Sequence, residues 1–178
     1  MAGFLPGQRV LTAFGYRPLA DLEVGDAVVS GRGRLRLVVR TGSCTLSGAL
    51  CRLATEANHV LRASADQPVL GRRDDDPPRW WRVDDLRPRD TVAILRESVR
   101  PQPLEHIRPR EDGDGTVVLH EERSVYAAGL DWVPLVAVDA VPYAGRVQGL
   151  EIEDDHSCVI EGLVVAAFLP AGRGWRTV

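Results

Sequence analysis

Apolar residues in this chain come in short runs closed off by Gly, Pro or Asp, and few stretches keep a helical period for more than about two turns. Examples are Arg9-Val10-Leu11, Ala27-Val28-Val29, Leu35-Arg36-Leu37-Val38-Val39, Val60-Leu61-Arg62, Thr91-Val92-Ala93-Ile94-Leu95, Thr116-Val117-Val118-Leu119 and Leu163-Val164-Val165. Runs of this length, rich in β-branched residues, bury one side chain in two on a pleated strand and are too short for a helical stripe. An all-β fold is therefore predicted. Gly31-Arg32-Gly33-Arg34 has the form of a hairpin tip, and the alternating arginines that follow read as the solvent face of a strand. Residues 72–78 read as a loop, 96–115 as a flexible polar loop and 169–178 as a C-terminal tail.

At 178 residues the chain suits one domain that needs no disulfide or metal to hold it, so residues 1–178 are taken as a single unit. The net charge of −3, with both signs mixed along the chain, gives no footprint for nucleic acid, and no apolar run approaches the length of a membrane span. Cys44, Cys51 and Cys158 have no C-x-x-C spacing and read as reduced thiols. The first residues lack the basic and long apolar regions of a secretory signal. A cytoplasmic monomer without cofactor or metal is the expectation. One internal echo stands out: Asp21-Leu22, Asp26 and Val28 recur at the same spacing as Asp85-Leu86, Asp90 and Val92.

Three segments share a further likeness. Gly3-Phe4-Leu5-Pro6-Gly7-Gln8-Arg9-Val10-Leu11-Thr12, followed by Gly15 to Asp26, resembles the opening of a Hint (hedgehog/intein) self-processing domain. Gly145 to Val165 resembles the closing segment of an intein, and Ser64-Ala65-Asp66-Gln67 stands where such domains carry Thr-x-x-His. The resemblance implies a flattened horseshoe of mostly antiparallel strands built from two pseudo-twofold sub-structures, with Gly3 and Ala167 brought together.

It also implies a chemistry whose groups are missing here. The nucleophile position holds Gly3, which has no side chain to attack with. The acid position holds Gln67, which donates a hydrogen bond but cannot deliver a proton. The terminal His-Asn pair is replaced by Ala166-Ala167, the acceptor after the cut by Phe168, and the acidic or thiol residue of the late motif by Gly149. An intein-like domain inactive in splicing and cleavage is the first reading. A second is a Hint scaffold retained as a stand-alone protein whose vacated cleft binds a small molecule or peptide, or turns one over, through Ser64, Asp66, Gln67 and His156; Trp80 and Trp81 are the aromatic wall to examine. A third is a structural interaction module. His156 is the one reactive group left in the expected set, with a structural role beside Asp154 or Asp155 as its plainer reading. His59 is expected to face outward, Cys158 to be a buried inert thiol, and His106 and His120 to carry no constellation.

Overall fold

The computed structural model describes residues 2–96 and 129–169, together with the backbone of Arg110–Glu111, Val117–Val118 and Arg176–Thr177. The loop expected over 96–115 and most of the tail, with His106 and His120, lie outside the described residues. Among the described residues fourteen strands follow in order: β1 (Arg9–Thr12), β2 (Gly15–Pro18), β3 (Ala27–Val29), β4 (Leu35–Thr55), β5 (Val60–Ser64), β6 (Pro68–Arg72), β7 (Arg79–Arg82), β8 (Thr91–Leu95), β9 (Arg110–Glu111), β10 (Val117–Val118), β11 (Leu130–Ile152), β12 (Ser157–Ile160), β13 (Leu163–Ala166) and β14 (Arg176–Thr177). Among the described residues the only helical turns are two short 3-10 turns, Leu19–Asp21 and Val83–Asp85. None is long and apolar enough to cross a membrane.

Strands β1, β3, β5, β8, β10 and β13 fall on runs read from the sequence, but β4 continues far beyond the run at residues 35–39, and no run named above marks β11. Strands β4 and β11 form one antiparallel ribbon from Thr55·Leu135 to Val38·Ile152. Glycines that read as punctuation lie inside it: Gly42 stands opposite Gly149, and Gly48 opposite Tyr143. Paired glycines remove side-chain packing without interrupting the backbone ladder, so pairing decides where propensity does not.

The internal echo is a true structural repeat. In the first copy Leu22 N donates to Leu19 O, and Asp26 Oδ2 accepts from Glu23 N at 2.9 Å. In the second, Leu86 N donates to Val83 O, and Asp90 Oδ2 accepts from Arg87 N at 2.9 Å. Arg17 reaches Asp21 O and Asp26; Arg73 reaches Asp85 O and Asp90. Gly25 N bonds Val38 O while Arg89 N bonds Leu135 O. The two arginines stand at different positions in their halves, but the backbone of the halves matches, Val38 with Leu135, Ser43 with Ala140 and Cys51 with Gln148. The ribbon maps onto itself because the pair Cys51·Ala140 is the image of Gln148·Ser43, which places the pseudo-twofold axis at Ser47·Ala144.

Side chains from both halves fill one main core, including Phe4, Val10, Leu53, Leu61, Val69, Leu135, Ile152, Ile160 and Leu163. A fully buried aliphatic side chain of this kind is worth about 1.5–3 kcal/mol. Two expectations fail here. Arg34 and Arg36 do not form a solvent face: their side chains are nearly buried and turn inward onto the Asp154–Asp155 turn. His59 is half-buried rather than outward, its ring lying over Gly162, where a Cβ would stand 2.4 Å from Nδ1.

Candidate functional site

The turn at residues 64–67 receives both ends of the described chain. Ser64 N donates to Gly3 O at 2.8 Å and Gly3 N donates to Ser64 Oγ at 2.8 Å. Gln67 N closes the turn on Ser64 O, and the second 3-10 turn is tied to it through Val83 N to Gln67 O and Asp84 N to Ala65 O. The same bonds recur in the first half, where Gln8 N closes on Leu5 O, Leu19 N bonds Gln8 O and Ala20 N bonds Pro6 O. Gln8 is therefore the pseudo-symmetric partner of Gln67, and both side chains are buried.

Symmetry breaks at these two amides. Gln8 Oε1 accepts from Arg62 N at 2.6 Å, whereas Gln67 Nε2 donates to Pro68 O at 3.1 Å and to Ala166 O at 2.9 Å. Gln67 does so because β13 lies beside β6, with Val165 opposite Val69. The residues after β13 are held at successive points. Ala167 N donates to His156 O at 2.8 Å, Ile152 N donates to Ala167 O at 3.2 Å, and Arg40, paired with Glu151 at 2.7 Å, donates to Leu169 O. Ala166, Ala167 and Leu169 are buried; Phe168 is exposed. Gly3 and Ala166 are thus bound to one four-residue turn although almost the whole chain separates them.

His156 enters this arrangement through its backbone. Its side chain is exposed, and Asp154 and His156 both take left-handed backbone conformations, with φ of 55° and 45°. Between them the buried Asp155 carboxylate accepts from Ser30 Oγ at 2.5 Å and from Arg34 Nε at 3.2 Å, and Arg34 also bonds its second oxygen. Arg32 and Arg36 stand 3.9 Å away. Burial pushes the Asp155 carboxyl up, but the bonds from Arg34 and Ser30 outweigh it and hold the acid below the usual range. Asp155 is thus committed to arginine and serine, not to His156. This clamp fastens the hairpin tip after β3 to the turn that holds Ala167.

Asp66 is half-buried in the turn at residues 64–67. Cys44 was not anticipated near it: burial raises its thiol pKa first, and the Asp66 charge adds to the rise. Gly149 is buried opposite Gly42. Cys158 is fully buried, and desolvation drives its thiol far above the ordinary value, as an inert thiol requires. Trp80 and Trp81, named above as an aromatic wall, face different surroundings. They lie in β7, with Trp80 exposed and Trp81 buried over Gly71 between the guanidiniums of Arg79 at 3.7 Å and Arg73 at 4.4 Å. Among the described residues no cluster of His, Cys, Asp and Glu could hold a metal ion.

No protein-family model and no curated protein sequence matches the chain. Solved structures do. A DnaB intein from Synechocystis sp. PCC 6803 superposes with a TM-score of 0.66 at 16% identity, covering 95% of this chain and 100% of that one. A bacterial intein-like domain from Clostridium thermocellum gives 0.65 at 15% identity over 94% and 99%, and the gp41-1 intein gives 0.64 at 9% over 93% and 98%. At these identities the likeness establishes the fold. The chain has a Hint/intein-like fold along nearly its whole length, all-β as its sequence indicates.

Proposed function

We propose that this is a Hint-fold domain that does not process itself, and that the place where such domains react serves here as a static clamp on the two chain ends. The observation that carries the reading is Gln67. It is buried at the acid position, and its amide is divided between Pro68 O and Ala166 O. A primary amide in that place stabilises the Ala166 carbonyl in the ground state and has no proton to give a leaving nitrogen. Gly3 brings no nucleophile, and its N–H is occupied by Ser64 Oγ. Ala167 has no amide side chain to cyclise, and its N–H and C=O are both spent on backbone partners.

The same bonds weigh against a ligand site assembled from Ser64, Asp66, Gln67 and His156. Ser64 and Gln67 are buried and engaged in holding the ends, so Asp66 and the exposed His156 would have to carry it. Intact mass followed for days at neutral pH with added thiol tests the proposal. An unchanged mass is expected; time-dependent loss of the residues before Gly3, or a cut beside Ala167, would refute it.

A further inference from the structure

The ribbon of β4 and β11 has two outer edges that the pseudo-twofold axis relates. Gln148 N donates to Phe4 O and Phe4 N to Gln148 O, both at 2.8 Å, so the peptide groups of Gln148 point away from β4. No register shift lies between Gln148 and Ala140, so Val138, Ala140 and Ala144 also turn their N–H and C=O outward, as does Ser43 on the opposite strand. On β4 that outward station is filled: β14 pairs there, Arg176 with Ser43 and Thr177 with Gly42. The image of Ser43 is Ala140. Among the described residues no strand pairs with β11 at that place, and Asp139, Ala140, Val141 and Pro142 are exposed. Val136 and Val141 leave apolar side chains 54% exposed along it. Pro142 removes one outward N–H and limits the open edge on one side, as edge strands commonly require.

We propose that the outer edge of β11 around Ala140 is a second strand-docking station, and that its occupant is the C-terminal strand of another copy of this chain. Both stations belong to one ribbon related by its own twofold axis, so a strand that pairs with Ser43 finds the same backbone arrangement at Ala140. Addition of an extended strand to an open edge takes its affinity from the main chain, which is what the two stations share. The result is a weak, concentration-dependent association in place of the monomer expected from the sequence.

Sedimentation of the full chain across a concentration series tests this, with a synthetic peptide of residues 170–178 as competitor. Association that the peptide reverses, and that Ala140→Pro weakens about tenfold or more, is expected. By the register the Ala140 N–H points out of the ribbon, so the variant removes an outward donor and not a bond between β4 and β11. Should Ala140→Pro fail to fold, peptide titration of the unaltered chain, followed by the amide resonances of Val138 and Ala140, provides the same decision. A chain that stays monomeric and indifferent to the peptide would overturn the proposal. So would association that persists in Ala140→Pro or resists the peptide.

Discussion

At the scale of single residues, the account rests on side chains that hold backbone in place. Replacing Gln67 by Ala leaves the buried Ala166 carbonyl short of a partner, and a cost of about 1–3 kcal/mol is expected in denaturant unfolding. Ser64→Ala removes the acceptor of Gly3 N and should cost about 1 kcal/mol. Asp155→Asn strands Arg34 in a buried site and should cost about 3 kcal/mol or more at pH 7. The Asp155 acid titrates lower in the folded chain than in the unfolded one, so its contribution is complete above the unfolded carboxylate range and is lost as pH falls through the folded value. The gap between Asp155→Asn and the parent chain should therefore narrow as unfolding is measured from pH 7 down to pH 3; a gap that widens would show the sign to be wrong. That Gly3, Gln67, Ala166 and Ala167 carry no thiol, hydroxyl or imidazole was legible in the sequence directly. The roles of Gln8, Arg34 and Asp155 were not, because each depends on a partner many residues away and on which face of a hairpin turns inward.

At the scale of elements, the repeat makes its own prediction. Gly25 and Arg89 are images of each other, with φ of 97° and 80°, yet one is glycine and the other is not. A Cβ at Gly25 would meet nothing within 4 Å, so Gly25→Ala costs conformation alone, about 1 kcal/mol. Arg89→Gly releases a strained backbone and should be neutral to stabilising by about as much. A loss for Gly25→Ala and none for Arg89→Gly is expected in thermal unfolding; equal losses would mean the two turns are not equivalent. Gly162 differs, since it combines a φ of 86° with the His59 ring in the space its Cβ would take. Gly162→Ala should destabilise by more than Gly25→Ala, and His59→Ala in the same chain should recover part of the loss. Short strands were readable from apolar runs and turn residues. The long ribbon was not, because Gly42, Gly48, Pro142, Gly145 and Gly149 look like breakers until their cross-strand partners are known.

For the whole molecule, the fold brings Gly3 and Ala166 onto one turn and then spends the available hydrogen bonds on keeping them there. The overall shape was within reach of the sequence because the order and spacing of three segments, and the Asp-Leu echo, survive where individual identities do not. What sequence could not supply is whether the place where Gly3, Ser64 and Ala166 meet is open or closed, since that is decided by where the Gln67 amide points. Residue-resolved amide exchange in the native chain measures this most directly. If the ends are clamped, the N–H groups of Gly3 and Ala167 exchange as slowly as those of core strands such as β12 and β13, and Gln67→Ala speeds Ala167 in particular. Exchange of both amides at the rate of exposed turns would contradict the account, because it would leave the turn at residues 64–67 open and its polar groups free to act.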